Sequence, residues 1–209
     1  GMQYTTAAKG GFITGLYVVL VPIAGMFLGR RTPGQAWLGV VFAVAGMFML
    51  TMNSELRIES GDLWVLAGAV FWTAHILILD RLSPRVDPFG LAAAQFAVCS
   101  LLSIPGVFLT ETISLSAIRA SALPILWSGV LTIGLGFTLQ AVAQTKAHPT
   151  RASIIMSLEA AFAALGGWLI LGERLSGREL AGCALMLFGM VIAQVPAVKH
   201  RTSPSSEKT

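Results

Sequence analysis

The chain has 209 residues, of which 55% are hydrophobic and only 11% charged, and it carries a net charge of +4. Water-soluble domains carry about a quarter charged residues, so the composition excludes a soluble enzyme, a disordered chain and a small disulfide-stapled module. No basic run with interleaved aromatics accompanies the surplus of lysine and arginine, which excludes a nucleic-acid reader and points to loops that flank membrane spans.

A helix needs about 20 apolar residues to cross the hydrocarbon. Counted from charge to charge, seven segments qualify: 10–29, 32–54, 63–79, 88–110, 120–145, 152–172 and 180–198. The expected fold is therefore an all-α polytopic membrane protein. The first span follows a single Lys9 and ends without a small-x-small cleavage pattern, so it reads as a membrane helix and not as a secretory leader. Gly11 and Gly15 give it a GxxxG face, Pro22 a kink, and Thr14 and Tyr17 its polar groups. The second span carries Gly39 and Gly46, seven apart on one face.

On the third span His75 follows Trp72 by three residues and Gly68 by seven, which places all three on one side of a helix. His75 is then either a neutral hydrogen-bonder inside the bundle or part of a cavity wall on which a solute stacks against Trp72. The fourth span contributes Gln95 and Pro105. The fifth presents Thr132, Gly136, Gln140 and Gln144 at four-residue steps, a polar and small stripe that either packs helices closely or lines a wet path. The sixth holds Ser153, Ser157 and Glu159, the one full charge inside any span. A carboxylate at such depth faces a wet cavity, pairs with a base or takes up a proton. Glu159 is thus either a site for a proton or a cationic solute, or a structural hydrogen-bonder to neighbouring helix ends. The seventh span repeats the glycine spacing with Gly182 and Gly189.

Trp37, Trp64 and Trp127 sit near span ends, as an interfacial belt requires, and Cys99 and Cys183 fall in apolar runs as packing residues. No catalytic residue, cofactor or metal is expected. Leu126 stands where a GxSG protease motif around Ser128 needs glycine, no span has an aspartate in its interior, and the last span lacks a lysine for a retinal Schiff base. The polar tail 199–209 is expected to be disordered. With the first span starting outside, the inside segments hold nine basic residues (Arg30, Arg31, Arg81, Arg85, Lys146, Arg151, Lys199, Arg201, Lys208) against five outside (Lys9, Arg57, Arg119, Arg174, Arg178), which predicts a cytoplasmic C-terminus.

Residues 28–47 align without gaps to residues 171–190, with seven of 20 positions identical at a constant offset of 143. This reads as a duplication. The offset contains five spans, and an odd number of crossings places the two copies upside down relative to each other, the inverted-repeat architecture of secondary transporters. The loop with Arg30 and Arg31 has no acid, whereas its counterpart balances Arg174 and Arg178 against Glu173 and Glu179, as opposite sides of a membrane require. By the same offset, unit one is expected to begin about 80 residues before Gly1, with three further helices ahead of the chain, so that the chain is a fragment or a truncated paralogue.

Residues 1–50 resemble the last two helices of an EamA-type unit of the drug/metabolite transporter superfamily. Residues 152–192 resemble the same part of a second unit, including the patterns Ser157-Leu158-Glu159 and Leu171-Gly172-Glu173, and GDLWVLAGAVFWTAHILI from Gly61 is similar to that unit's opening helix. The likeness covers nearly the whole chain. Arg30 departs from it, standing where the first unit's LGE pattern has an acid. The resemblance implies ten helices in two five-helix units. Residues 1–54 are then the end of the first unit, 61–198 the complete second unit and 199–209 a cytoplasmic tail. It also implies a secondary transporter of the plasma (inner) membrane, expected to export a small metabolite, amino acid or drug-like solute by alternating access with proton or solute coupling. Its implied partners are the lipid bilayer, the small-molecule solute, protons and a second copy in a homodimer. The alternative is a non-transporting fragment or decayed paralogue with a structural or regulatory role. Candidates to line the cavity are Glu159, His75, Trp72, Gln140, Thr132, Gln95, Tyr17, Thr14 and Ser157. The substrate does not follow from the fold.

Overall fold

The computed structural model describes residues 1–5, 7–51, 60–110, 114–171 and 176–195, and among these all regular structure is helical. The tail 199–209, Glu173 of the second LGE pattern, and Arg57 and Arg174 of the outer loops lie outside the described residues. After a single 3₁₀ turn at Met2–Tyr4, α1 (Ala7–Gly15) and α2 (Tyr17–Phe27) form the first rod. The next three rods are α3 (Gly34–Thr51), α4 (Ser60–Leu82) and α5 (Pro88–Thr110). A short α6 (Leu115–Ala120) leads to a fifth rod made of α7 (Ala122–Leu126), a wider π-helical stretch (Trp127–Phe137) and α8 (Thr138–Ala143). The sixth is divided into α9 (Pro149–Met156) and α10 (Glu159–Leu171), and the seventh is α11 (Gly177–Gln194). Among the described residues five stretches, 10–27, 60–82, 88–109, 122–143 and 177–194, are long and apolar enough to cross a membrane, and 34–50 falls just short.

The helix ends follow from local chemistry. Gly29 sits in the left-handed region at φ 76°, which costs a residue with a Cβ about 1–2 kcal/mol. That turn lets the Gly29 N–H donate to Met26 O (3.0 Å) and the Arg30 N–H to Gly25 O (2.9 Å), a Schellman closure that caps α2 and aims Arg30 across at α4. Ser176 and Glu179 make a reciprocal capping box at the start of α11.

At the centre α3 and α11 run antiparallel in close contact. A Cβ added at Gly39 would come within 2.7 Å of Gly189 O, and one at Gly46 within 2.5 Å of Gly182 O. The reverse distances are 2.8 Å for Gly189 to Gly39 O and 2.6 Å for Gly182 to Gly46 O. Each glycine thus meets the partner of its own 143-residue counterpart, the reciprocal pattern two helices make across a two-fold axis. With no hydrophobic gain available between helices in lipid, this backbone approach is what holds them. Val18, Val40, Ala43, Ile154 and Ala193 close one end of the seam, and Met47, Leu158, Ala161, Cys183 and Met186 the other.

The two broken rods are also counterparts. The first is interrupted at Leu16 and the sixth at Ser157–Leu158, positions that the offset brings within two residues of each other. In the sixth rod the Ser153 and Ser157 hydroxyls donate to Thr150 O and Ile154 O, both at 2.8 Å. Such back-bonding competes with the ladder and bends a helix. Of the expected GxxxG pair, Gly15 faces the Met47 side chain, whereas Gly11 has nothing within 4 Å.

Candidate functional site

The inner face of α4 meets three other rods. Trp72 and His75 stack with ring centroids 5.0 Å apart, and Phe137, the last residue of the π stretch, stands edge-on to both, at 5.5 and 6.3 Å. One turn on, the Gln144 amide donates to Ile76 O of α4 (3.3 Å), while Gln140 donates to the Gln144 side chain (3.4 Å). On the other side Tyr17 of α2 packs with Val21, Ile76 and Leu77, against Trp72 and Met156. Tyr17 is 1% exposed, and its hydroxyl, like Nε2 of His75, is buried with no hydrogen-bond partner among the described residues. A phenol and an imidazole left unpaired inside a bundle are costly.

Glu159 opens α10 just past the break, with an accessible side chain, and lies near enough for its charge to act on the Tyr17 phenol. Towards the start of α4, Trp72, Gly68, Val65 and Trp64 line a cleft of about 340 Å³ together with Thr14 and Gly1. Aromatic neighbours and the unpaired hydroxyl and imidazole groups therefore gather around Trp72, beside the break in the first rod, and Glu159 opens α10 past the break in the sixth. Such a set can hold a small solute with apolar and polar parts.

The opposite end of the bundle is closed by polar contacts. Arg30 pairs with the buried Asp80 of α4, and Thr32 and Thr150 share a hydroxyl hydrogen bond of 3.2 Å. His148 caps α9 by accepting the Thr150 N–H at Nδ1 (3.4 Å), which requires that nitrogen to be unprotonated. Burial pushes the His148 imidazole below its ordinary value. The Asp80 carboxylate opposes that, while the Arg30 and Arg151 guanidiniums reinforce it. A base whose folded value is depressed takes its proton more readily when unfolded, so stability is full above the ordinary value of 6.5 and falls as pH drops through it towards the folded value. His148→Asn, which keeps a capping acceptor, is expected to flatten this part of the melting curve between pH 7.5 and 5; an unchanged slope would show that His148 is not its source.

The candidates named from the sequence separate into two groups. Trp72, His75, Gln140, Tyr17, Thr14, Ser157 and Glu159 lie on the four rods that meet here, although Ser157 is buried with its hydroxyl directed to Ile154 O. Gln95 donates to Leu91 O of its own helix (3.2 Å), and Thr132 is exposed on the π stretch. The four-residue stripe is divided between two kinds of helix: Thr132 and Gly136 lie in the π stretch, Gln140 lies in α8, and Gln144 closes α8 and reaches Ile76 O. Phe137 and Asp80 were not singled out from sequence. Asp80 had a usable signal, since an acid closing a span beside an inside loop bearing only Arg30 and Arg31 has an obvious partner.

The model of the EamA-like transporter family matches residues 59–194. The chain belongs to the EamA-like transporter family. Among its relatives are an uncharacterized transporter of Archaeoglobus fulgidus, 30% identical over 197 residues, covering 93% of this chain and 63% of the relative. The threonine/homoserine exporter RhtA of Salmonella typhimurium is 29% identical over 196 residues, covering 86% and 62%. The uncharacterized transporter YwfM of Bacillus subtilis is 25% identical over 182 residues, covering 86% and 61%. The chain thus spans about three fifths of the length of these curated relatives. A solved crystal structure superposes with a TM-score of 0.78 over 92% of this chain and 69% of its own, at 18% identity, a likeness of fold. As an EamA-like protein, the chain is a multi-pass membrane protein of a transporter family, embedded in the bilayer.

Proposed function

We propose that this chain is part of a secondary transporter of the plasma membrane that exports a small amino-acid-like solute by alternating access, with Tyr17, Trp72, His75 and Glu159 around the solute. The observation that carries the reading is the break at Ser157–Leu158, after which Glu159 opens α10, while Met156 just before it packs against Tyr17, whose hydroxyl is unpaired among the described residues. Discontinuous helices near the middle of inverted repeats are where secondary transporters hold their solutes. The carboxylate suits an ammonium group, and the phenol and imidazole suit hydroxyl or carboxylate oxygens. The relative named a threonine/homoserine exporter supports that solute class.

The crosswise glycines of α3 and α11 and the matched breaks support two inverted units, residues 1–54 ending the first and 61–198 forming the second. A cleft towards Trp64 and an end tied shut by Arg30–Asp80 and Thr32–Thr150 suit one of the two alternating states, with the tied end and the C-terminus cytoplasmic. Proteoliposomes carrying the protein as the cell makes it, loaded with labelled threonine, are expected to release it faster than empty-protein vesicles. Tyr17→Phe should raise the half-saturating concentration about fivefold, the loss of one hydrogen bond, whereas Leu102→Ala on the exposed face of α5 should not. Release equal to that of protein-free vesicles would leave the non-transporting reading standing.

A further inference from the structure

We propose that the groove between α2 and α4 beside Arg81 binds a phospholipid with an anionic headgroup. Val70, Ala74, Leu77, Ile78 and Arg81 recur on α4 at three- and four-residue steps and line one wall, opposite Ala24 of α2 and Leu28, the residue that ends it, around a hollow of about 280 Å³. At 1.5 Å per residue the groove runs about 16 Å from Val70 to Arg81. That is about half of a 30 Å hydrocarbon core, the depth of one leaflet.

The lining hydroxyl, Thr73, donates to Ala69 O of its own helix (2.8 Å), so the wall offers a passing chain only apolar contact. The charge comes at the end. Arg81 lies in the last turn of α4, exposed and without an ion pair or hydrogen bond among the described residues. Its neighbour Asp80 does not neutralise it, because Asp80 is buried and engaged by Arg30. A free guanidinium presents a planar fork of donors that matches a phosphate. An apolar trough one leaflet deep with an unpaired arginine at headgroup level fits an acyl chain below and a net negative headgroup above. A choline headgroup would bring its own cation beside the arginine.

Native mass spectrometry of the purified protein titrated with phosphatidylglycerol or phosphatidylcholine tests this. The wild type is expected to favour phosphatidylglycerol about fivefold, the effect of one arginine near an anionic surface. Arg81→Gln should abolish the preference, whereas Arg85→Gln, in the turn that follows, should keep it. Ala74→Trp, or Ile78→Trp should the first variant not fold, fills the groove and should weaken binding of both lipids. Millimolar inorganic phosphate should displace neither. The proposal is overturned by a preference that survives Arg81→Gln or disappears equally in Arg85→Gln. Undiminished binding in a folded groove-filling variant overturns it too, as does displacement by phosphate alone.

Discussion

Gly46→Ala is expected to destabilise this protein by about 3 kcal/mol or more, although alanine is the better helix former. Packed sites that gain a methyl group lose typically about 1–3 kcal/mol when side chains can shift. Here the new Cβ would stand 2.5 Å from Gly182 O, 2.7 Å from Met186 Cγ and 2.9 Å from Met186 N. Two of those three atoms are backbone, so relief requires α3 and α11 to separate along the seam that joins them. Gly182→Ala should cost about as much, since its Cβ would meet Gly46 O at 2.6 Å and Leu50 N at 3.0 Å. The two substitutions press on the same contact, so the double variant should lose clearly less than their sum. Gly166→Ala is the control. Nothing lies within 4 Å of a Cβ there, and relief of glycine's backbone entropy should stabilise the helix by about 0.5–1 kcal/mol. Unfolding midpoints in one detergent decide the matter; equal behaviour of Gly46→Ala and Gly166→Ala would show that the seam is not held by backbone approach.

The same glycines show what a sequence of this kind makes legible. Spacing of seven at two places 143 residues apart already contained the α3–α11 seam, because close approach in lipid depends on missing side chains and little else. What spacing did not contain was departure from the α-helical pitch. A pitch of 3.6 residues per turn does not anticipate the π stretch from Trp127 to Phe137, which winds wider and ends with Phe137 against Trp72 and His75. The break before Glu159 has no proline or glycine to announce it, since Ser153 and Ser157 act through back-bonding to carbonyls that come within reach only once the helix forms. Glu159 itself was visible as a lone charge in an apolar run. Its proximity to Tyr17, 142 positions earlier, depends on how α2 packs against α9 and is a property of the fold alone.

That proximity supports the second large expectation. If Glu159 is the group through which protons drive the proposed export, a proton gradient should accelerate efflux from proteoliposomes of the wild type. In Glu159→Gln the rate should fall to that of vesicles without a gradient. The amide keeps the shape and hydrogen-bonding oxygen of the side chain but never titrates, so a purely structural role predicts nearly unchanged flux and an unchanged pH profile. Solute binding by the carboxylate predicts something else again: weakened affinity at every pH, with the gradient response intact. Solute-for-solute exchange, which needs no net proton movement, should persist in Glu159→Gln if the residue carries protons and should weaken if it holds the solute's ammonium group. Tyr17→Phe separates the cases further. Removing the hydroxyl leaves the carboxylate free to take its proton, so the gradient should still drive efflux at saturating solute, and a variant that lost the gradient response as well would join the two groups in one proton path.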